Sequence, residues 1–413
     1  MTSLTRHVIR CRDIVHLVTH NAPEAMMQPL RLLLVMALAV ALAFPAAAFE
    51  TTARAAYVVD KTTGTVLLEK NADMPLPPAS MSKLMTLYVA FEAVREGQLS
   101  LDERLPVSEH AMSYGGSTMF LDTTDRVRVE DLLRGIAVLS GNDACAVIAE
   151  ALSPDGTEAG FARFMTQRAE RMGMTNSVFK NASGWPAEGQ VMSMRDLAIL
   201  SERIIEDFPE FYDMLAEREF RFDGRAPSNV YNRNPLLRLD MGVDGLKTGH
   251  TQEAGYGLTA SAKQGDRRVI FAFTGLDSAQ ERAREGEAIV NWAFRQFTQR
   301  SVVKAGEDVA RVPVWMGASR TVGLTPEKDL NTLLPSLGGD TVEAEVVYDG
   351  PVHAPVSEGD RLAELVLKPE GLPETRVPLF ASETVAQGGF LQRLRVVSGQ
   401  LAQRLVRSIE GTL

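Results

Sequence analysis

Apolar and polar positions change rhythm several times along this 413-residue chain. An uncharged apolar run from Leu32 to Phe44 follows Arg31 and ends in Ala46-Ala47-Ala48. That run is short for a membrane span of about 20 residues, and its small-residue ending is the pattern of a signal peptidase site. Residues 1–48 are expected to be a leader cleaved before Phe49, with translation starting at Met26 or Met27 because the residues before them look unlike an n-region. Ala55 to Asp60 and Thr65 to Lys70 read as strands joined by the turn Lys61-Thr62-Thr63-Gly64. Leu84, Leu87, Ala90, Phe91 and Val94 then recur at helical spacing behind Pro78-Ala79-Ser80, and Gly97 closes the run. Leu101 to Thr124 is loop-rich around Gly115-Gly116-Ser117-Thr118. Helices are predicted over Val129–Val138, Asp143–Ala151, Phe161–Met172 and Met194–Ile205, with a turn cluster at Asn181-Ala182-Ser183-Gly184-Trp185-Pro186. Strand rhythm returns over Tyr256–Ala262 and Arg268–Leu276 about a Gln264-Gly265-Asp266 turn, and a helix over Glu281–Gln299 follows. The pattern predicts a helical block set between N-terminal and C-terminal strands of one sheet.

From about Ser301 short β-rich runs (Val342–Tyr348, Leu362–Leu367, Arg376–Phe380) alternate with Gly/Pro/Asp turns, which suggests a small β-sandwich. At the end, Phe390, Leu394, Val397, Leu401 and Leu405 share one helical face, with Arg393, Arg404 and Arg407 on another. A basic amphipathic helix suits a membrane surface; docking on the β-domain is the alternative. The expected domains are 1–48 (leader), 49–299 (catalytic), 300–385 (β-rich) and 386–413 (amphipathic helix).

Composition narrows the chemistry. A 45% hydrophobic chain of this length supports two or three domains. Loss of residues 1–48 removes four arginines and two acids from totals of 43 basic and 53 acidic residues, leaving a charge of −12. Such acidity argues against nucleic acid as a partner. Cys11 leaves with the leader, so Cys145 stands alone and no intrachain disulfide forms. Only His110, His250 and His353 remain, widely scattered; neither a metal site nor a cofactor is expected.

Ser80 at the start of a buried helix and Lys83 one turn on share a face, so hydroxyl and amine can touch. In a dry site the lysine is pushed toward its neutral form and becomes a base for the serine. A lone Ser-x-x-Lys reads more readily as an N-cap followed by a solvated lysine. Two further elements change that: Ser140-Gly141-Asn142 between helices and Lys247-Thr248-Gly249 beside a strand. The ordered trio is the motif set of penicillin-binding proteins and class A β-lactamases, with Gly141 standing where those have Asp.

With Asn232-Arg233-Asn234, Ser140-Gly141-Asn142-Asp143-Ala144-Cys145, Val243 to Thr251 and Gly255-Tyr256, the chain resembles the low-molecular-weight penicillin-binding proteins that are serine D-alanyl-D-alanine carboxypeptidases, similar to peptidase family S11. The resemblance runs from about Arg54 to Gln299, and more loosely beyond. It implies an α/β (α+β) transpeptidase-like catalytic domain with a helical subdomain, then a small all-β sandwich and a C-terminal amphipathic helix. It implies Ser80 as nucleophile, Lys83 as base and Ser140 as proton carrier to the leaving amine. Asn142 holds the substrate amide, the N–H groups of Ser80 and His250 form an oxyanion hole, and Thr248 and Lys247 receive the terminal carboxylate beside Gly249. Arg233 and Arg282 are further carboxylate partners. Lys83 must lose roughly three pKa units to act near neutrality, and burial together with the Lys247 charge is expected to supply them. Cys145 reads as an inert core thiol and Asp196 as a structural partner; Tyr114 and Trp185 are placed at the cleft. Ser183 and Trp185 stand where some relatives have His and Leu, which bears on substrate preference and deacylation.

The implied partners are peptidoglycan stem peptides and, as covalent inhibitors, β-lactams, with the C-terminal helix on the periplasmic face of the inner membrane. A β-lactamase is disfavoured because no Glu-x-x-x-Asn loop lies between Asn142 and Lys247. The alternatives are a DD-endopeptidase on cross-linked peptides and a catalytically weak penicillin-binding wall scaffold.

Overall fold

The computed structural model of the chain describes residues 5–11, 49–225, 228–336, 342–369 and 371–390. Most of the expected leader, and the amphipathic helix from Leu391 onward, lie outside the described residues. Two compact units form, Ala48–Arg295 and a second one that begins at Gln296 and takes in the N-terminal strand β1 (Thr5–Cys11).

The first unit is built on an antiparallel sheet. Its strands are β2 (Ala55–Asp60), β3 (Thr65–Lys70), then, beyond a short ribbon of β4 (Arg104–Pro106) and β5 (Arg126–Arg128), β6 (Val243–Thr251), β7 (Gly255–Gln264) and β8 (Arg267–Leu276). The order β3-β2-β8-β7-β6 leaves β6 as an edge. Both faces are covered, so alternate residues enter different cores. Ala55 and Tyr57 face the helical block, while Ala56 and Val58 join Phe271, Phe273, Ile289 and Val290 on the other side. The helices are α1 (Lys83–Arg95), α2 (Glu109–Met112), α3 (Val129–Arg134), α4 (Asn142–Leu152), α5 (Glu158–Arg171), α6 (Met194–Asp207), α7 (Pro209–Tyr212) and α8 (Ala279–Arg295).

Helix α1 is buried nearly all round from Lys83 to Ala93, as a helix in the middle of a domain must be. It is entered through the 3-10 turn Ala79–Ser82. It ends at Gly97 (φ +73°), where the N–H of Gln98 returns to Ala93 O and that of Gly97 to Val94 O, the paired bonds of a left-handed helix stop.

Two predicted helices differ from the structure. The run expected over Val129–Val138 becomes α3 and a single π turn, Gly135–Leu139, because Gly135 lies against Met119 where a Cβ would stand 2.1 Å from the sulfur. The helix expected to reach Gln299 stops at Arg295, and Phe297–Val303 forms strand β9 instead. Its backbone pairs antiparallel with β12 (Leu330–Pro335), with a register shift between Leu330 and Asn331, and that ladder outweighs local helical preference.

In the second unit β1 pairs antiparallel with β13 (Glu343–Gly350), an element that hydrophobic periodicity does not reveal inside the leader region. The sheet continues through β15 (Arg361–Lys368), β16 (Thr375–Ala381), β11 (Thr321–Thr325), β10 (Ala310–Trp315) and β14 (Val352–His353). Alternate residues such as Val312 and Val314, or Ala363, Leu365 and Leu367, make its core. No described helix is long and apolar enough to cross a membrane, and no group of three His, Cys, Asp or Glu suited to a metal occurs among the described residues.

Candidate active site

The chain turns sharply into α1. Ala79 sits at φ +48°, a region an L-residue occupies only at a cost of about 1–2 kcal/mol, and the turn leaves Ser80 half-buried at the cleft. Lys83 is fully buried, and its Nζ lies 2.9 Å from Ser80 Oγ, 2.7 Å from Asn142 Oδ1 and 2.5 Å from the Ser183 carbonyl. An ammonium has three protons for three acceptors. Of these acceptors only the Ser80 hydroxyl can reverse and donate, so loss of a proton from Lys83 turns its free lone pair toward Ser80. Burial pulls the Lys83 pKa down to about 8, helped by the Arg233 charge and opposed by Cys145, Asp143 and Glu158. The Lys247 charge, expected to be the helper, is not among these leading influences; desolvation dominates.

The π turn delivers Ser140 in a left-handed conformation (φ +64°). Its Oγ is buried without a hydrogen-bond partner, an arrangement that costs free energy unless an outside group supplies one. Asn142 opens α4 with its amide engaged at both ends, Oδ1 on Lys83 and Nδ2 donating to Gly115 O at 2.8 Å. Next to it, the Asp143 carboxylate accepts the N–H groups of Met119 and Leu121, which fastens the Gly115–Leu121 loop onto α4.

Lys247, Thr248 and Gly249 lie on edge strand β6, all three buried. Gly249 permits close approach: a Cβ there would stand 2.9 Å from Pro78 O and 3.1 Å from Met81 Cγ. Across the cleft, Gly184 (φ +78°) crosses Ala79, where a Cβ would fall 1.9 Å from the Ala79 carbonyl oxygen. A cavity of about 660 Å³ is lined by Ala79, Gly184, Trp185, Thr251, Arg54 and Glu253 among others; it reaches Ala79, the neighbour of Ser80 in the chain, but neither Ser80 nor Lys83, Ser140, Asn142 or Lys247 lines it. Trp185 meets Tyr114 edge-on at 6.2 Å.

The cleft is cationic. Burial holds Lys247 well below the ordinary lysine range, and Lys83, Arg233 and Arg282 add to the effect. None of Lys83, Lys247, Arg233 and Arg282 has a carboxylate ion-pair partner among the described residues. Arg233 donates to Ser117 Oγ and to Asn229 Oδ1. Arg282, also lowered by burial, keeps Nε without a partner and lies over the Tyr256 ring, which stacks at 3.8 Å on the exposed His250. The arrangement combines an activated hydroxyl, a second poised hydroxyl and uncompensated positive charge, which suits acyl transfer on an anionic substrate.

Cys145 is fully buried with its thiol pushed up to about 12, an unreactive setting. Asp196 binds Ser177 Oγ and the Asn176 N–H, as a structural carboxylate does. The sequence reading missed the Ser183 carbonyl and Glu158. The turn composition around Asn181 was visible, but which carbonyl faces Lys83 depends on a contact spanning 100 residues.

Residues 42–277 match the D-alanyl-D-alanine carboxypeptidase family, peptidase S11, and residues 297–387 match the C-terminal domain of penicillin-binding protein 5. The D-alanyl-D-alanine carboxypeptidase DacF of Bacillus subtilis is 34% identical over 84% of this chain and 89% of its own length. DacD of Escherichia coli, which carries the same description, is 36% identical over 82% and 88%. Penicillin-binding protein 5 from Haemophilus influenzae superposes with a TM-score of 0.73 at 31% identity, covering 82% of this chain and 99% of that one. Penicillin-binding protein D2 from Listeria monocytogenes, solved in an ampicillin-bound form, has a TM-score of 0.53 at 33% identity over 59% and 97%.

Proposed function

We propose that this chain, which belongs to the D-alanyl-D-alanine carboxypeptidase family, removes the terminal D-alanine of peptidoglycan pentapeptide stems through a Ser80 acyl-enzyme. The observation that carries the reading is Lys83 Nζ at 2.9 Å from Ser80 Oγ in a buried setting that brings its pKa to about 8. Neutral Lys83 takes the Ser80 hydroxyl proton as Oγ bonds to the carbonyl carbon between the two D-alanines. The N–H groups of Ser80 and His250 receive the oxyanion; one such donor is worth about 10²–10³ in kcat. The C–N bond then breaks, and Ser140 relays the proton from Lys83 to the leaving amine. Free D-alanine departs with its carboxylate drawn by Thr248, Lys247, Arg233 and Arg282. Water, deprotonated by Lys83, next attacks the ester carbonyl and returns Ser80 with its proton, releasing the shortened stem. Asn142 keeps Lys83 in place and receives the substrate amide.

The same nucleophile opens a β-lactam ring, in line with an ampicillin-bound relative. Export with loss of residues 1–48, residence in the periplasm and attachment through the helix over 390–409 complete the reading; they rest on the sequence pattern alone, and loss of the leader would take β1 from its place beside β13 and leave β13 as a sheet edge.

D-alanine release from a peptide ending in D-Ala-D-Ala tests this, with Ser80→Ala as control. Release that vanishes in Ser80→Ala is the expected result, and release that persists removes Ser80 from the reaction. Penicillin labelling without release would move the reading toward cross-linked peptides as substrate.

A further inference from the structure

Glu158 is the first residue of α5, where a carboxylate usually faces water and gains from the helix dipole. Here it is only 7% exposed and turned inward. Its Oε1 accepts the Ala182 N–H at 2.9 Å, and its Oε2 accepts the Tyr114 hydroxyl at 2.7 Å and His110 Nε2 at 2.6 Å. A carboxylate only accepts, so all three partners donate to it.

The residues that follow two of these partners in sequence lead to Lys83, one directly and one through Asn142. Ala182 precedes Ser183, whose carbonyl accepts from Lys83 Nζ at 2.5 Å, while the Ala182 carbonyl is held by Thr86 Oγ1 from α1 at 2.6 Å. Tyr114 precedes Gly115, whose carbonyl accepts from Asn142 Nδ2 at 2.8 Å, and Asn142 Oδ1 accepts from Lys83. Two of the three groups around Lys83 Nζ thus trace back to one carboxylate that does not itself touch Lys83 or Ser80.

We propose that Glu158 is a positioning residue for Lys83: it clamps the 182–183 turn and the 114–115 loop so that the Ser183 carbonyl and the Asn142 amide hold the amine against Ser80. The proposal rests on Lys83 being the base. A shift of about 1 Å in a reacting group costs on the order of 10²-fold in rate, so loss of the clamp slows acylation without unmaking the fold. The Glu158 charge adds a signature. Lys83 is faced by Cys145 and Asp143 from α4, Arg233 from the Asn-Arg-Asn block, Lys247 from β6 and Glu158 from α5; the negative charge of Glu158 favours the protonated amine. Tyr114 and His110 face Glu158 itself. Removing that charge lets the Lys83 proton leave at lower pH.

The experiment follows penicillin acylation and kcat/KM for D-alanine release from about pH 5 to 10, with thermal unfolding alongside, in wild type, Glu158→Gln, Tyr114→Phe and the double variant. Glu158→Gln is expected to lose on the order of 10²-fold at the plateau, with the midpoint of the rise displaced to lower pH. Tyr114→Phe loses less and keeps its midpoint, because the charge stays. The double variant is less than additive, since both changes act on one network. A Glu158→Gln enzyme with wild-type plateau and midpoint overturns the proposal. So does a loss of rate that the unfolded fraction accounts for in full. If Glu158→Gln does not fold, Tyr114→Phe decides, and an unchanged plateau there overturns the clamp. Lys83→Arg is the separate control: wild-type acylation in that variant defeats Lys83 as base, whereas failure of Glu158 alone leaves that role standing.

Discussion

A lysine becomes a base near neutrality only where its surroundings disfavour its proton, and the fold bears the cost. For Lys83 the fall from 10.5 to about 8 corresponds to about 3 kcal/mol against the charged form. Its folded pKa lies below the unfolded value, so between about pH 8 and pH 10.5 the unfolded chain holds more protons than the folded one. The penalty is therefore complete below about pH 8 and fades as pH rises through that window. Lys83→Met, which cannot be charged, is expected to abolish acylation and to remove this pH-dependent part. Denaturant unfolding of both proteins at pH 7 and about pH 10 checks it. The stability of the variant relative to wild type should be higher at pH 7 than at pH 10, by up to about 3 kcal/mol. An equal difference at both values would mean that Lys83 is not held near neutral by burial. At this scale the sequence revealed the pairs set by helical spacing, Ser80 with Lys83 above all. Glu158 stayed hidden because its burial arises only when α5, the Tyr114 loop and the Asn181 turn cluster meet.

Elements bring their residues together through backbone contacts that allow little added volume. At the edge strand Gly249 is the case in point, since β6 passes the Pro78 carbonyl and Met81 too closely for a methyl group without a shift. Gly249→Ala is expected to push the edge strand away from the Ser80 turn and lower penicillin acylation by on the order of 10²-fold, with circular dichroism unchanged. Gly97→Ala is the matching control: its site has φ +73° and no atom within 4 Å of where the added methyl would stand, so the change costs about 1–2 kcal/mol of stability and leaves acylation intact. Equal acylation by the two variants would show that the approach of β6 to the Ser80 turn does not matter. Most of these elements were legible in the sequence: β2, β7 and β8 stand out as short, largely apolar runs bounded by turn residues, because both of their faces are buried, and α1 as a longer apolar run closed by Gly97. The π turn before Ser140 and the switch from helix to strand after Arg295 were not, since each answers to a distant partner, Met119 in one case and β12 in the other.

At the scale of the molecule, the first unit carries its own cores on both faces of its sheet and contains every residue assigned to catalysis. The Listeria relative that covers 59% of this chain and 97% of its own indicates that a chain of about this length completes the catalytic fold. Residues 49–295 alone are accordingly expected to fold and to take up penicillin within a few-fold of the full rate. For the region from 390 onward we propose a separate task, attachment to a membrane surface. As a helix, this stretch would set Arg393, Arg404 and Arg407 beside an apolar face of Phe390, Leu394, Val397, Leu401 and Leu405; the arginines would gain about 1 kcal/mol each beside anionic headgroups, and the apolar side chains would add burial in the interface. A chain covering residues 49–389 is therefore expected to lose sedimentation with anionic vesicles while it still releases D-alanine at the rate of residues 49–413. Raised salt should weaken binding of the longer chain, because the arginine contribution is screened. If the shorter chain sediments as before, attachment lies elsewhere in the molecule. If it stays in solution but loses D-alanine release, the terminal segment supports the fold rather than the anchor.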